Sequence, residues 1–158
     1  MSKVVKVNLQ IRNPEAFVQA LRDVFGEAAV KVSSAKSVRE AVEKASRGEG
    51  VARRAWGGAT FRDAVAVVRA GTNYTVRLRQ EAGGVLEVRG SIPYSDLALV
   101  AREEGVELVA DHYTDPRLIT AIRAAYVRRV AEEIARRQGR RVEDPVLKEN
   151  GEIVVIIR

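Results

Sequence analysis

"FRDAVAVVRAGTNYTVRLRQEAGGVLEVRGS", residues 61–91, decides the fold class. Three apolar-rich runs, 61–70, 74–81 and 85–91, are separated by "GTN" and "AGG". Those connections have hairpin length and hold residues that tolerate positive φ, so the runs predict an antiparallel meander. Upstream, "KVVKVNLQI" (3–11) alternates Val5, Val7, Leu9 and Ile11 with Lys6, Asn8 and Gln10, the period of a half-buried strand.

Helices flank these strands. Asn13 and Pro14 open an amphipathic run, carrying Phe17, Ala20, Leu21, Val24 and Phe25, that Gly26 closes. Residues 28–33 predict a short strand. Ser37 with Glu40 forms the Ser-x-x-Glu signature of a capping box, before a narrow apolar stripe that stops at Gly48 and suits a peripheral helix. Ser95 heads a predicted short helix over 95–105, while "VELVA" (106–110) fits a strand or a buried connection. Asp115 and Pro116 start the clearest helix, with Leu118, Ile122, Tyr126, Val130 and Ile134 recurring at i+4 and Gly139 ending it. The tail predicts a hairpin at Asn150-Gly151 whose last, very apolar strand is central in its sheet. Together these elements predict a single α+β domain over 1–158, a mostly antiparallel sheet with helices packed on one face.

Composition limits the function classes. The 158 residues have 46% hydrophobic and 30% charged content, an ordinary globular balance. No apolar run is long enough to cross a membrane, and the start lacks a signal-peptide pattern, so a cytoplasmic protein is expected. With no cysteine, disulfides, thiolate zinc and a cysteine nucleophile are excluded. The net charge of +6 suits a nucleic-acid or acidic-protein partner, or equally a thermophilic surface of ion-pair networks.

Catalytic motifs are sparse. His112 stands between Asp111 and Asp115 in "DHYTD", an oxygen-rich minimum for a metal, yet the cap role of Asp115 explains the segment without one. No metal ligand set and no cofactor are expected. Neither Gly-x-Ser-x-Gly, a lysine-bearing phosphate loop, nor Gly-x-Gly-x-x-Gly occurs. "RRAWGGATFRD" (53–63) lacks that lysine and a following helix; it predicts a glycine-hinged lead into the first meander strand, with Arg53 and Arg54 in a loop and Trp56 covering one edge of the core. Four Arg-Arg pairs remain: Arg53-Arg54, Arg128-Arg129, Arg136-Arg137 and Arg140-Arg141. They form a candidate basic ridge for phosphates or a partner, although the last two pairs also complement a helix C-terminus and Glu132 and Glu133 offer partners. A base-stacking sheet would want exposed aromatics on central strands, where only Tyr74 and, at their start, Phe61 occur. Gln10, Arg12, Arg77, Arg79 and Arg89 make one sheet face polar and basic.

Four stretches carry a family likeness: "MSKVVKVNLQIRNPEAFVQAL", "RRAWGGATFRDAVAVV", "GTNYTVRL", and "AAYVRRVAEEIARRQG" followed by "KENGEIVVIIR". They resemble the Ycf35-like family of unknown function, also called domain of unknown function twelve-fifty-seven, the closing helix and hairpin in order and spacing as well. The chain departs from that pattern by extra material near 34–50 and 92–113, where nothing is carried over. The resemblance implies a compact α+β domain and supplies no reaction. The expectation is a non-catalytic binding or accessory module that docks to a larger protein or nucleoprotein complex. The alternatives are direct RNA or DNA binding through the arginine ridge (Arg53, Arg54, Trp56, Arg128, Arg129, Arg136, Arg137, Arg140 and Arg141) and, last, a small metal-dependent hydrolase around His112.

Overall fold

The computed structural model describes the backbone of residues 4–158 and the side chains from Ile11 onward. Its α+β chain has three α-helices, α1 (Pro14–Phe25), α2 (Val38–Ser46) and α3 (Pro116–Arg137). Strands β1 (Val4–Ile11), β2 (Val30–Val32), β3 (Val51–Arg54), β4 (Thr60–Val68), β7 (Leu97–Arg102) and β8 (Gly105–Asp111) form one sheet, and β5 (Asn73–Gln80), β6 (Val85–Ser91), β9 (Val146–Leu147) and β10 (Ile153–Val154) form another. The first has the order β1-β8-β7-β4-β2 with β3 also on β4; the second runs β10-β9-β5-β6. All pairings are antiparallel except β5 with β9.

The helix ends follow the local chemistry read from the sequence. Asn13 Oδ1 accepts from the Ala16 amide (3.0 Å), Ser37 Oγ from that of Glu40 (3.0 Å), and Asp115 Oδ1 from that of Arg117 (2.9 Å). Each satisfies an amide that has no partner in the first helical turn. A 3₁₀ turn, Glu27–Ala29, takes the start of the segment predicted as the second strand. Residues 95–105 overturn the helix expected there and form β7 and the turn after it. "LALVA" is buried on both sides, so it lacks the alternation that marks a half-exposed strand. The undecided 106–110 lies in β8.

The predicted meander is also corrected. Only β5 and β6 pair; β4 belongs to the other sheet, and "GTN" carries the chain from one sheet to the next. Thr72 and Ile92 extend the β5–β6 hairpin, with the Ile92 amide donating to the Thr72 carbonyl (3.0 Å), which turns β5 away from β4. Gly90 sits opposite Tyr74, where a Cβ would meet the tyrosine hydroxyl at 2.8 Å; its bare backbone lets that ring lie across the pair.

Two faces of the first sheet are filled differently. Leu97, Leu99 and Ala101 of β7, with Val106 and Leu108 of β8, join Phe17, Val18 and Leu21 of α1 and Ala41 and Ala45 of α2 in the main core. A fully buried side chain such as Phe17 stabilises the fold by about 1.5–3 kcal/mol relative to exposure. The opposite face, Ala64, Val67, Ala98, Val100 and Val109, packs against Val51 of β3. The β4–β7 register shifts between Ala64 and Ala66, Arg69 Nη1 donates to the Ala52 carbonyl (2.8 Å), the Asp96 amide donates to the Arg54 carbonyl, and the Arg54 amide donates to the Asp96 carboxylate. These contacts lay the β3–β4 hairpin back over the outer face of the sheet.

α3 joins the two sheets. Leu118 and Ile122 enter the main core with Tyr126 packed against it, while Ala121 and Ala124 meet Leu78 of β5. At 3.6 residues per turn an i+4 series drifts by about 40° per step. Ile134 therefore lies roughly 160° round the helix from Leu118 and is exposed, while Ala131 and Ala135 are buried. The tail hairpin forms at the expected Asn150-Gly151, but its last strand is the sheet's edge, not its centre. Val154 and Ile156 remain exposed there.

Candidate functional site

The arginine pairs do not make one ridge. Arg53 lies in strand β3, not in a loop, and is only 7% exposed. Its Nε donates to Asp63 Oδ1 (2.7 Å), Arg102 Nη1 to Asp63 Oδ2 (2.8 Å), and its guanidinium sits 4.6 Å above the Phe61 ring centroid. Burial pushes the Asp63 carboxyl up, but the hydrogen bonds and charges of Arg53 and Arg102 outweigh it and hold it below its ordinary value. Arg53 is thus committed inside the hairpin. Trp56 does not cover the core; it is 48% exposed at the hairpin tip, where Gly57 and Gly58 both take φ near +88°. Arg54 is exposed beside it.

Arg128 and Arg129 face a different part of the molecule. Arg128 donates to Glu132 (3.0 Å) and Asp144 (2.6 Å), and Arg129 donates through Nε to Asp23 of α1 (2.7 Å). The hydrogen bond to Asp23 raises the Arg129 pKa. Arg137 pairs with Glu133 (3.2 Å). The exposed side chains of Arg136, Arg140 and Arg141 have no ion pair among the described residues. They cluster where α3 presents its carbonyl end, so dipole compensation accounts for them.

Arg128 and Arg129 stand on the wall of a groove of about 670 Å³ between α3 and β5. Val24, Val76, Leu78, Val85, Ala121, Ala124 and Ala125 give it an apolar floor; Arg77, Arg79 and Pro145 line it as well, with Asp23, Glu132 and Asp144, which engage Arg128 and Arg129. One edge of β5 pairs with β6 over its whole length, but the other meets β9 only at Arg79 and Gln80. The residue immediately before β9 is Pro145, which has no N–H to give to a ladder. The Glu81 amide donates to Leu147 on that edge (2.9 Å), so the two-residue period turns the backbone groups of Thr75 and Arg77 to the same side. No strand pairs with them among the described residues. The result is an open strand edge beside an apolar groove whose margin carries paired arginines and carboxylates together with Arg79.

Arg77, Arg79 and Arg89 had marked a basic sheet face, but Arg77 and Arg89 share Glu87 (3.4 and 2.8 Å). Gln10's side chain lies outside the described residues. The groove itself escaped the sequence reading. Its one local signal is Asp144-Pro145 ahead of a short strand, which stops pairing one residue early. Tyr74 is buried, so the second sheet offers no stacking aromatic on its face.

The His112 segment does not assemble a metal site. Asp111 is buried, accepting from Ser95 Oγ (3.0 Å) and the Tyr113 amide (2.8 Å). Asp115 is held low mainly by its hydrogen bond from Arg117. His112 is exposed, and no group of three His, Asp or Glu side chains converges among the described residues. No helix among them is long and apolar enough to cross a membrane. Comparison with protein families, curated proteins and solved structures finds no match to this chain.

Proposed function

We propose that the protein is a non-catalytic binding module that docks to a larger partner by taking an extended segment of it onto the free edge of β5. The open edge at Thr75 and Arg77, left where Pro145 ends the β9 pairing, carries this reading. Strand addition supplies main-chain hydrogen bonds, and the groove floor receives alternate apolar side chains of the added segment. Arg79 at the margin and the net charge of +6 select a segment with acidic residues. The resemblance to the Ycf35-like family belongs to this proposal, because an accessory module needs no catalytic motif.

A photo-crosslinking residue at Ala125, on the groove floor, tests it in native lysate treated with nuclease. The expected product is a polypeptide adduct mapping to an extended acidic segment, lost when Arg79→Glu reverses the marginal charge. Adducts that vanish with nuclease, or that persist unchanged with Arg79→Glu, would overturn the strand-addition reading.

A further inference from the structure

Four of the eight aromatic side chains go to the core or its border: Phe17, Phe25, Tyr74 and Tyr126. The other four, Trp56, Phe61, Tyr94 and Tyr113, are exposed. Phe61 already carries the Arg53 guanidinium, which leaves three rings facing solvent without such a cover. Tyr94 and Tyr113 are 65% and 56% exposed, yet their rings meet edge to face at 5.5 Å, and His112 lies 5.4 Å from Tyr113. An exposed aromatic cluster on a chain with a well-filled core marks a contact surface.

The cluster is held in place. Tyr94 is the one described non-glycine residue with positive φ, +54°, at the centre of a three-residue turn in which the Ser95 amide donates to the Pro93 carbonyl (2.7 Å). Such a conformation strains a tyrosine and persists only where neighbours impose it. Asp111 imposes it from below: one carboxylate oxygen binds Ser95 beside Tyr94, and the other binds the Tyr113 amide. A single buried carboxylate thereby sets both rings. Thr114, beside Tyr113, is only 9% exposed, and its Oγ1 has no hydrogen-bond partner among the described residues.

The hairpin tip stands at the same end. The Asp96 amide donates to the Arg54 carbonyl (2.9 Å), and Asp96 Oδ2 accepts from the Arg54 amide (2.8 Å), two residues after Tyr94. Arg54 and Arg62 are exposed and make no side-chain ion pair among the described residues. The nearby carboxylates, Asp96 and Asp111, are both engaged internally, so the end is positive and aromatic.

We infer that this end binds single-stranded nucleic acid, with unpaired bases stacking on Tyr94, Tyr113 and Trp56 and phosphates meeting Arg54 and Arg62. Stacking on aromatic faces with cations along the backbone is how sequence-tolerant single-strand binding works, and it requires bases free of a duplex. This site is separate from the β5 groove, and either can fail alone.

The test titrates the full chain with fluorescein-labelled 12-nucleotide single strands of RNA and DNA at low salt, reading anisotropy and the fluorescence of Trp56, the only tryptophan. Single strands should bind, quench Trp56, and bind more weakly as salt rises. Tyr94→Gly removes a ring where glycine accepts the backbone angle, so it should keep or raise thermal stability while weakening binding about 5- to 100-fold. Tyr113→Ala should weaken it comparably, and Arg79→Glu in the groove should leave it unchanged. Failure of either oligonucleotide to bind at low salt would overturn the inference. So would equal affinity for a duplex, equal affinity for a free mononucleotide, or full affinity of Tyr94→Gly.

Discussion

Asp63→Asn is the substitution that most directly interrogates the hairpin. The Asp63 carboxylate receives Arg53 through both oxygens, at 2.7 and 3.2 Å, and Arg102 at 2.8 Å. Asparagine keeps one acceptor and no charge, so the buried Arg53 guanidinium loses most of its compensation. Breaking a buried pair from one side costs about 3–5 kcal/mol. The Asp63 side chain is 26% exposed and Arg102 keeps Glu107 (3.3 Å), so a loss of about 2–4 kcal/mol is expected. Urea denaturation at pH 7 should show the midpoint falling by roughly 1–2 M. The depressed Asp63 pKa means that its contribution is fully present above the unfolded carboxylate value, about 3.9, and is lost as pH falls through the folded value. The gap between wild type and variant should therefore close below about pH 4. Arg53→Met with Asp63→Asn should be less damaging than Asp63→Asn alone, because no unpaired charge remains over Phe61. A loss below about 0.5 kcal/mol at pH 7, or a gap that persists into acid, would refute the reasoning.

Two glycines two residues apart should behave differently when changed to alanine. A Cβ at Gly50 would meet the Ala64 carbonyl oxygen at 2.4 Å and the Arg62 carbonyl oxygen at 2.8 Å, both backbone, whereas at Gly48 (φ +74°) it meets nothing. Gly48→Ala should cost about 1 kcal/mol and Gly50→Ala clearly more in thermal melts, since the β3–β4 pairing must part to admit it. Ser37→Ala removes the acceptor for the Glu40 amide and should cost about 1 kcal/mol, with faster hydrogen exchange confined to the first turn of α2.

What the sequence revealed divides along a physical line. Helix starts depend on residues a few positions apart, so Asn13, Ser37 and Asp115 were each legible as caps. The two-sheet arrangement was written less openly. "DAVAVV" in β4 is buried on both faces, while β5 and β6 alternate, a contrast between a central and a one-sided strand. β7 was misread because a doubly buried run has no period to betray it, and β3 because "VARR" hides a buried arginine whose partner Asp63 lies across a turn. The candidate surfaces were hardest to foresee. The groove draws on α1, α3, β5 and the tail, and the aromatic end joins Tyr94 before β7 with Tyr113 after β8. Neither arrangement exists until the strands have paired.

The pairing of β1 with β8 also sets a timetable. Val4 lies opposite Asp111, so β1 is synthesised with its neighbour still more than a hundred residues downstream. At about 5–20 residues per second, a growing chain waits roughly 5–20 s before β8 exists. α1 can coil meanwhile, but the sheet that it will cover has no interior. The β7–β8 hairpin closes locally, through the turn before Gly105, and offers one free edge to β4 and the other to β1. Assembly of the first sheet thus hangs on a hairpin from the second half of the chain, and slowing that hairpin would delay the whole layer.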